Sequence, residues 1–292
     1  MKYLVVCNTA SNSINRITIS NLEVEELCLN SIGKPIGPSG AWVDENNIYT
    51  VNHYSNSISI INKKSFKEKN NLYVGAHPND LIKYKNFLYI VCSESNIVSI
   101  YDLEEDKVVL DIPVNNWPYN IEISKEKEII FISNFQSNNL SVIDINQNKV
   151  IKEIKTFGYP TKIRISNNKR YFYVCESFIG DSKDGYVEIF DLESLDSIAK
   201  IKVGRYPVDI VEDEGYLYVC NFGEGSISII DIISLKEYKR IQIGGMPKSI
   251  IKYGENTYIL DYLRGKLIIF NLLDETVKVI TVGKEPNAMT LY

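Results

Sequence analysis

The stretch that decides the fold reads PVDIVEDEGYLYVCNFGEGSISIIDIISLKEYKRIQIG over residues 207–244. It holds four short apolar segments, DIV, YLYVCN, SISIID and YKRIQIG, which are separated by turn residues. Alternation at a period of two, rich in Ile, Val and aromatic residues, is typical of β-strands and not of helices. The stretch therefore predicts one antiparallel unit of four strands.

This unit recurs along the whole chain, and each copy opens with a proline, a residue that the first position of a strand tolerates. The prolines are 39 to 47 residues apart: Pro38, Pro78, Pro118, Pro160, Pro207, Pro247 and Pro286. Each of the first six prolines is followed by a strand that begins with an aromatic residue. A Ser/Asn/Gly turn comes next, and then a strand that ends in Asp or Asn. Four strands at such a period predict a β-propeller.

The two ends of the chain complete one repeat. VVCN at residues 5–8 corresponds to YVCN at 218–221, and residues 286–292 align with 247–253. We therefore predict that the C-terminal strand joins the N-terminal strands and closes the last blade, which hides both end strands from edge pairing. The predicted fold is an all-β, seven-bladed β-propeller with four antiparallel strands per blade, in a single domain over residues 1–292.

The pattern YVCN-x-x-x-GSISIID at 218–231, with G-x-x-P-x-x-I between copies, resembles the YVTN family of seven-bladed, WD-like propeller repeats. The resemblance covers the whole chain. It implies an architecture but no single activity, because the wider group includes surface-array proteins, cytochrome-type haem domains, amine dehydrogenase subunits and sugar lactonases. Cys92, Glu176 and Asp261 stand where the pattern has Asn, which implies a more acidic ring at that position.

Composition and charge exclude several classes of function. A net charge of −5 and a pI near 5.3 disfavour nucleic-acid binding, which needs a basic face. No apolar run reaches the length of a membrane span. A first strand beginning near Tyr3 leaves no room for a signal peptide, so we expect a cytoplasmic protein with free cysteines. The sequence contains no CxxC or CxxCH motif, and we predict neither a cofactor nor a metal.

Aromatic residues gather in the loops before the prolines and after the second strands, which share one end of a blade in this topology. Such side chains offer large contact areas at low entropic cost. We therefore predict a binding surface for a protein, peptide or small molecule; the alternative is that several of these residues pack between blades. A residue before proline is expected to be extended. The predicted binding residues are His53, Tyr54, His77, Trp117, Phe135, Tyr159, Phe178, Tyr206, Phe222 and Tyr262.

A second candidate set lies two residues after the prolines and is predicted to line the channel mouth: Asp80, Asn120, Lys162 and Asp209. These residues either bind a cation or polar ligand or are solvated, and a calcium site would need about six to eight oxygen ligands. The two histidines, His53 and His77, lie near Asp80 in the repeat and leave a metal site open as an alternative, although their spacing matches no standard motif.

Blade four carries the one clear insertion. Tyr173 to Asp191 spans 18 residues where Tyr218 to Asp231 spans 13, and insertions in repeat proteins often lie on the binding face. Two functions follow as hypotheses. The first is a non-enzymatic binding or scaffolding propeller that uses the aromatic loops. The alternative is a lactonase-like hydrolase with a polar or cation site at the channel mouth. A coat or surface role is weakened by the absence of an export signal.

Overall fold

The computed structural model describes residues 1–29, 35–178 and 180–292. Within these ranges the secondary structure consists of strands β1 to β28 and one 3₁₀ turn at Phe135–Ser137, with no α-helix. No helix of the described residues is long and apolar enough to cross a membrane. The chain divides into two compact units, Met1–Asp111 with Tyr253–Tyr292 and Ile112–Lys252.

The strands form four-stranded antiparallel sheets, each in chain order except the one that joins the two termini. The first four sheets contain β1 Tyr3–Asn8, β2 Ser13–Thr18 and β3 Val24–Cys28 with β28 Pro286–Leu291; β4 Pro38–Val43, β5 Asn47–Asn52, β6 Ser57–Asn62 and β7 Lys67–Tyr73; β8 Pro78–Tyr84, β9 Phe87–Cys92, β10 Ile97–Asp102 and β11 Lys107–Pro113; and β24 Pro247–Tyr253, β25 Asn256–Asp261, β26 Lys266–Asn271 and β27 Val277–Thr281.

The other three sheets contain β12 Pro118–Ser124, β13 Ile129–Asn134, β14 Asn139–Asp144 and β15 Lys149–Lys155; β16 Tyr159–Ile165, β17 Tyr171–Ser177, β18 Tyr186–Asp191 and β19 Ser197–Lys202; and β20 Pro207–Asp213, β21 Tyr216–Asn221, β22 Ser226–Asp231 and β23 Lys236–Gln242. The predicted fold class, a seven-bladed β-propeller with four antiparallel strands per blade, is confirmed.

The sheet that joins the termini has the order β28-β1-β2-β3. Leu4 pairs with Leu291 and Cys7 with Ala288, so the C-terminal strand lies beside the N-terminal one as the innermost strand. This confirms the predicted closure, in which β1 has a hydrogen-bonded neighbour on each side. The assignment of residues 1–292 to one domain stays a prediction.

Burial is greatest in the second and third strands of a blade and least in the outermost strand. In the unit 112–252, Phe172 and Val174 of β17 are fully buried, whereas Ile198 of the outer strand β19 is 49% exposed. Strands covered on both faces need apolar residues at every position, which explains the continuous run YFYVC. Cys175 and Cys220 are free and fully buried in this core, and burial raises the pKa of both thiols well above the usual value.

A buried asparagine ends the second strand of several blades and ties it to the third. Asn221 donates from Nδ2 to the hydroxyls of Ser226 at 3.0 Å and Ser228 at 2.7 Å. Asn52 and Asn134 make the corresponding bonds in their own blades. Because these amides have no exposed surface, each donated hydrogen bond replaces one that water would have supplied. The asparagine of the repeat is thus a structural residue.

Candidate functional site

A recurring hydrogen bond joins the two loops that the sequence picks out. The carbonyl of the residue before the proline accepts from the N–H of the residue after the second strand. This bond links Trp117 to Phe135 at 2.9 Å and Tyr206 to Phe222 at 2.9 Å, both in the unit 112–252. In these two blades the backbone therefore brings the two predicted sets of aromatic residues together in pairs.

Several residues before the repeat prolines adopt a left-handed backbone instead of the expected extended one. Trp117 and Tyr206 have φ of 54°, and His77 has φ of 59°, in the left-handed region that side chains rarely occupy. The expectation of an extended residue before proline is therefore wrong at these positions. The left-handed turn directs the carbonyl toward the neighbouring loop, and the hydrogen bond offsets part of the conformational cost.

Aromatic rings stack across the first two blades of this unit. Phe135 lies 5.1 Å from Tyr159 in a stacked arrangement and 6.0 Å from Tyr119, between ring centroids. All three side chains are partly exposed. Offset and tilted aromatic contacts at such distances are favourable beyond the area they bury. The stacking of Phe135 on Tyr159 joins neighbouring blades, as the alternative interpretation held, and part of each ring is exposed.

Lys248 completes this group from β24. Its Nζ donates to the hydroxyl of Tyr119 at 2.8 Å and lies 5.5 Å from the centroid of the Tyr119 ring and 5.8 Å from that of Phe222. An ammonium over aromatic faces is stabilised by the ring quadrupoles. We refer to Tyr119, Phe135, Tyr159, Phe222 and Lys248 as the aromatic–lysine cluster.

Sequence reasoning missed Tyr119 and Lys248, although both directly follow a repeat proline. The register of β12 shifts between Pro118 and Asn120, so Tyr119 is the extra residue of a β-bulge, and Lys248 holds the same position after Pro247. A bulge redirects its extra side chain. Regular alternation counted from the proline selects the second residue instead, which is why these two were overlooked.

A separate aromatic group surrounds the insertion of blade four. Phe157, Phe178 and Tyr186 have ring centroids 5.3 to 6.1 Å apart in edge-to-face contacts. Phe157 is 55% exposed, and the sequence analysis did not select it. The hydroxyl of Tyr206 accepts from the N–H of Gly180 at 2.9 Å and donates to the carbonyl of Asp181 at 3.3 Å. Tyr206 therefore fixes part of the insertion loop.

Two carboxyl groups are buried beneath this group. Glu176 stands at the asparagine position of the repeat with no exposed surface, beside Glu188, which is 2% exposed. Burial and, secondarily, the neighbouring Glu188 raise the pKa of Glu176 to about 9. Its oxygens accept from the N–H groups of Phe157 and Gly158, each at 3.2 Å. Glu176 is therefore protonated at neutral pH.

Hydrogen bonds within the protein engage two of the predicted channel-mouth residues. Asp209 accepts from the Ser249 hydroxyl at 2.8 Å and from the Ile250 N–H at 2.9 Å through Oδ2, and from its own neighbour Ile210 through Oδ1. Asn120 is 3% exposed and accepts from the Ile163 N–H at 2.8 Å. Both join the first strands of neighbouring blades. Lys162 is partly buried on β16, opposite Cys175 in the ladder.

We expect Asp209→Ala to lower the free energy of unfolding by about 2 kcal/mol, because the buried N–H of Ile250 loses its acceptor. Asp209→Asn, which keeps one oxygen, should lose less. Urea unfolding of both variants, with the exposed Asp196→Ala as the control, measures the difference. Equal stability of Asp209→Ala and wild type would contradict this structural role.

The remaining candidates lie in the other unit. The ring centroids of His53 and His77 are 3.3 Å apart, and Nδ1 of His77 is 3.5 Å from Oε1 of Glu94. Burial lowers the pKa of His77 despite this acid, so the side chain is mainly neutral near pH 7. Tyr54 is 50% exposed and contacts His53 edge to face at 5.3 Å.

Asp80 and Tyr262 are also in this unit, and both are partly buried. Asp80 accepts from the N–H of Leu81 at 2.9 Å, while Tyr262 directly follows β25. Across residues 1–29, 35–178 and 180–292, no group of three or more His, Cys, Asp or Glu side chains is arranged to hold a metal ion.

Comparison with known proteins supports the architecture. No protein-family model and no curated protein matches the sequence. Hydrazine synthase of Kuenenia stuttgartiensis is similar in structure with a TM-score of 0.77 at 18% identity, covering 90% of this chain and 97% of that one. A candidate 6-phosphogluconolactonase of Bacteroides uniformis gives 0.79 at 15% identity, covering 100% and 99%. A functionally unknown protein of Desulfotomaculum acetoxidans gives 0.80 at 14%, covering 99% and 98%.

These identities are too low for function to follow from the likeness. The three proteins differ in what their names describe, so the shared feature is the propeller fold alone. The function of this chain depends on its own side chains.

Proposed function

We propose that the protein is a non-enzymatic binding or scaffolding propeller of YVTN-like repeats, cytoplasmic, which holds a protein, peptide or small-molecule partner on its aromatic loops. The observation that carries the proposal is the aromatic–lysine cluster. Tyr119, Phe135 and Tyr159 form a continuous row of rings that are neither fully buried nor fully exposed. Rigid, partly exposed aromatic rings around one cation are typical of binding hot spots.

The contacts of the polar candidates favour binding over hydrolysis. A lactonase-like reaction needs a carboxylate that is available to a cation, a water molecule or the substrate. Asp209 already accepts three hydrogen bonds from the protein, and the side-chain oxygen of Asn120 accepts one. The hydrolase alternative therefore requires that Asp209→Asn abolish any lactone hydrolysis detected while the variant remains folded.

Native mass spectrometry of the chain purified gently from its own source tests the binding function. We expect a stoichiometric small molecule or polypeptide to travel with the 33.4 kDa chain. The double variant Phe135→Ala, Tyr159→Ala should lose it, since the two rings supply the contact area. Tyr238→Ala, which removes a ring that is 70% exposed on the outer strand β23, is the matched control. A partner retained by the double variant would contradict the proposal.

A further inference from the structure

The environment of the Lys248 ammonium indicates the charge of the ligand. Its ammonium is partly buried between the rings of Tyr119 and Phe222, with a tyrosine hydroxyl as its hydrogen-bond acceptor. Among the ion pairs of the described residues none involves Lys248, whereas Lys252 on the same strand lies 3.7 Å from Asp213. A partly desolvated charge without an opposite charge is costly. Lys248 therefore retains the capacity to pair with an anion from outside the chain.

Asp209 also contacts β24, next to Lys248, but forms no ion pair with it. Both oxygens of Asp209 accept hydrogen bonds, from Ile210 through Oδ1 and from Ser249 and Ile250 through Oδ2. Those bonds hold the carboxylate on the residues that follow Lys248. The charge of Lys248 is thus compensated by aromatic rings and a phenol, which stabilise an ammonium less than a carboxylate does.

Tyr119 adds a second donor at the same point. Its hydroxyl accepts from Lys248, which leaves the phenolic proton to be donated, and no acceptor for that proton is found among residues 1–29, 35–178 and 180–292. The ammonium also has two further N–H bonds. Donors from Lys248 and Tyr119 therefore start from atoms 2.8 Å apart, a separation that suits the two oxygens of one carboxylate or phosphate.

We infer that the partner carries a carboxylate or phosphate group that binds Lys248 and Tyr119, while its apolar part packs on Phe135, Tyr159 and Phe222. This inference rests on the proposed binding function and specifies the chemistry of the ligand. The rings supply area and the two donors supply orientation, the division of roles usual in small-ligand sites. Because the ammonium is partly exposed, affinity should fall as the salt concentration rises.

Benzoate, phenyl phosphate and the neutral benzamide are suitable probes, since they share a ring and differ in charge. We expect the full-length protein to bind benzoate or phenyl phosphate in ligand-observed NMR titrations, and to bind benzamide at least about fivefold more weakly. Lys248→Met should weaken the better anion by about tenfold or more and leave benzamide nearly unchanged, as expected for the loss of a charge-assisted hydrogen bond. Tyr119→Phe, which keeps the ring, should cost severalfold.

Lys236→Met, an exposed lysine at the start of β23, is the matched control and should bind all three probes as the wild type does. Tighter binding of benzoate would indicate that the ligand carries a carboxylate, and tighter binding of phenyl phosphate would indicate that it carries a phosphate. Absence of binding of both anions at 20 mM, benzamide as tight as the better anion, or unchanged affinity in Lys248→Met and Tyr119→Phe would overturn the inference. Benzamide binding that is lost in Phe135→Ala would leave the aromatic binding function standing without the anion.

Discussion

Replacing Glu176 by glutamine should stabilise the protein increasingly as the pH rises from 6 to 8. The gain in free energy of unfolding over wild type should grow by up to about 1.4 kcal/mol per pH unit, the value for one proton. Urea unfolding of both proteins at pH 6, 7 and 8 measures this gain. Few single substitutions increase stability by so much. The expected gain arises because Glu176 stands in place of the asparagine of the repeat.

Glu176 occupies the position of the repeat asparagine, whose Nδ2 donates to the third strand of the blade. At Asn8 the amide also accepts: its Oδ1 accepts from the N–H of Gly283 at 3.1 Å, while its Nδ2 donates to Asn15 at 2.8 Å. Glu176 accepts from Phe157 and Gly158 in the same way. Next to it lies Glu188, whose Oε2 is buried and has no hydrogen-bond partner among the described residues. Only a protonated Glu176 can donate there, whereas glutamine always can.

The sign of the pH dependence follows from the two pKa values. Glu176 has a pKa of about 9 in the folded protein against 4.5 in its ordinary state. Between these values the folded state holds one proton more than the unfolded state, so its stability is greatest below pH 4.5 and falls as the pH rises toward 9. Glutamine does not titrate and removes this loss.

Lys200 and Ser197 also face the pair, and both contact Glu188. Nζ of Lys200 lies 3.3 Å from Oε1 of Glu188, and the Ser197 hydroxyl donates to the same oxygen. The Lys200 ammonium lowers the pKa of Glu176, but burial and the neighbouring Glu188 outweigh this effect. Glu193→Gln, at a side chain that is 86% exposed, serves as the control and should show no such trend. A difference between Glu176→Gln and wild type that does not grow with pH would contradict the assignment.

The strand framework could be predicted from the sequence because every blade repeats the same local signals. The proline recurs seven times, and an aromatic-led strand and an alternating strand follow it six times. Each of these signals is short-range. The closing strand was predictable for the same reason, since residues 286–292 repeat 247–253. Because many weak signals agree, the fold can be predicted from the sequence without any single strong motif.

The candidate site was less predictable, because its contacts depend on distances across the fold. Lys248 and Tyr119 are 129 residues apart, and a β-bulge after the proline redirects the side chain of Tyr119. That Glu176 replaces the repeat asparagine is visible in the sequence, but its position diagonally opposite Glu188 follows from the register of β17 and β18. Trp117 and Tyr206 were selected correctly as loop neighbours of Phe135 and Phe222, yet their left-handed backbone was not foreseen.

Gly185→Ala should destabilise the protein by roughly 3 kcal/mol, the upper end of the typical range for overpacking. A Cβ at Gly185 would lie 2.2 Å from Cδ of Pro207 and 2.8 Å from the carbonyl oxygen of Glu176. Neither atom can move freely, because Pro207 begins β20 and Glu176 lies within the β17 ladder. The insertion of blade four thus ends where the chain passes closest to the proline of the next blade.

The backbone of Gly185 is tied at the same point. Its N–H donates to the carbonyl of Gly204 at 3.0 Å, and its carbonyl accepts from the N–H of Val203 at 3.0 Å, so the chain cannot shift to make room without breaking this pair. Gly215→Ala is the matched control: a Cβ there meets no atom within 4 Å, but φ is 82°, so only the conformational cost of about 1 kcal/mol applies. Urea unfolding separates the two causes. If the effect is purely conformational, Gly215→Ala should be the less stable variant, and if steric exclusion dominates, Gly185→Ala should be.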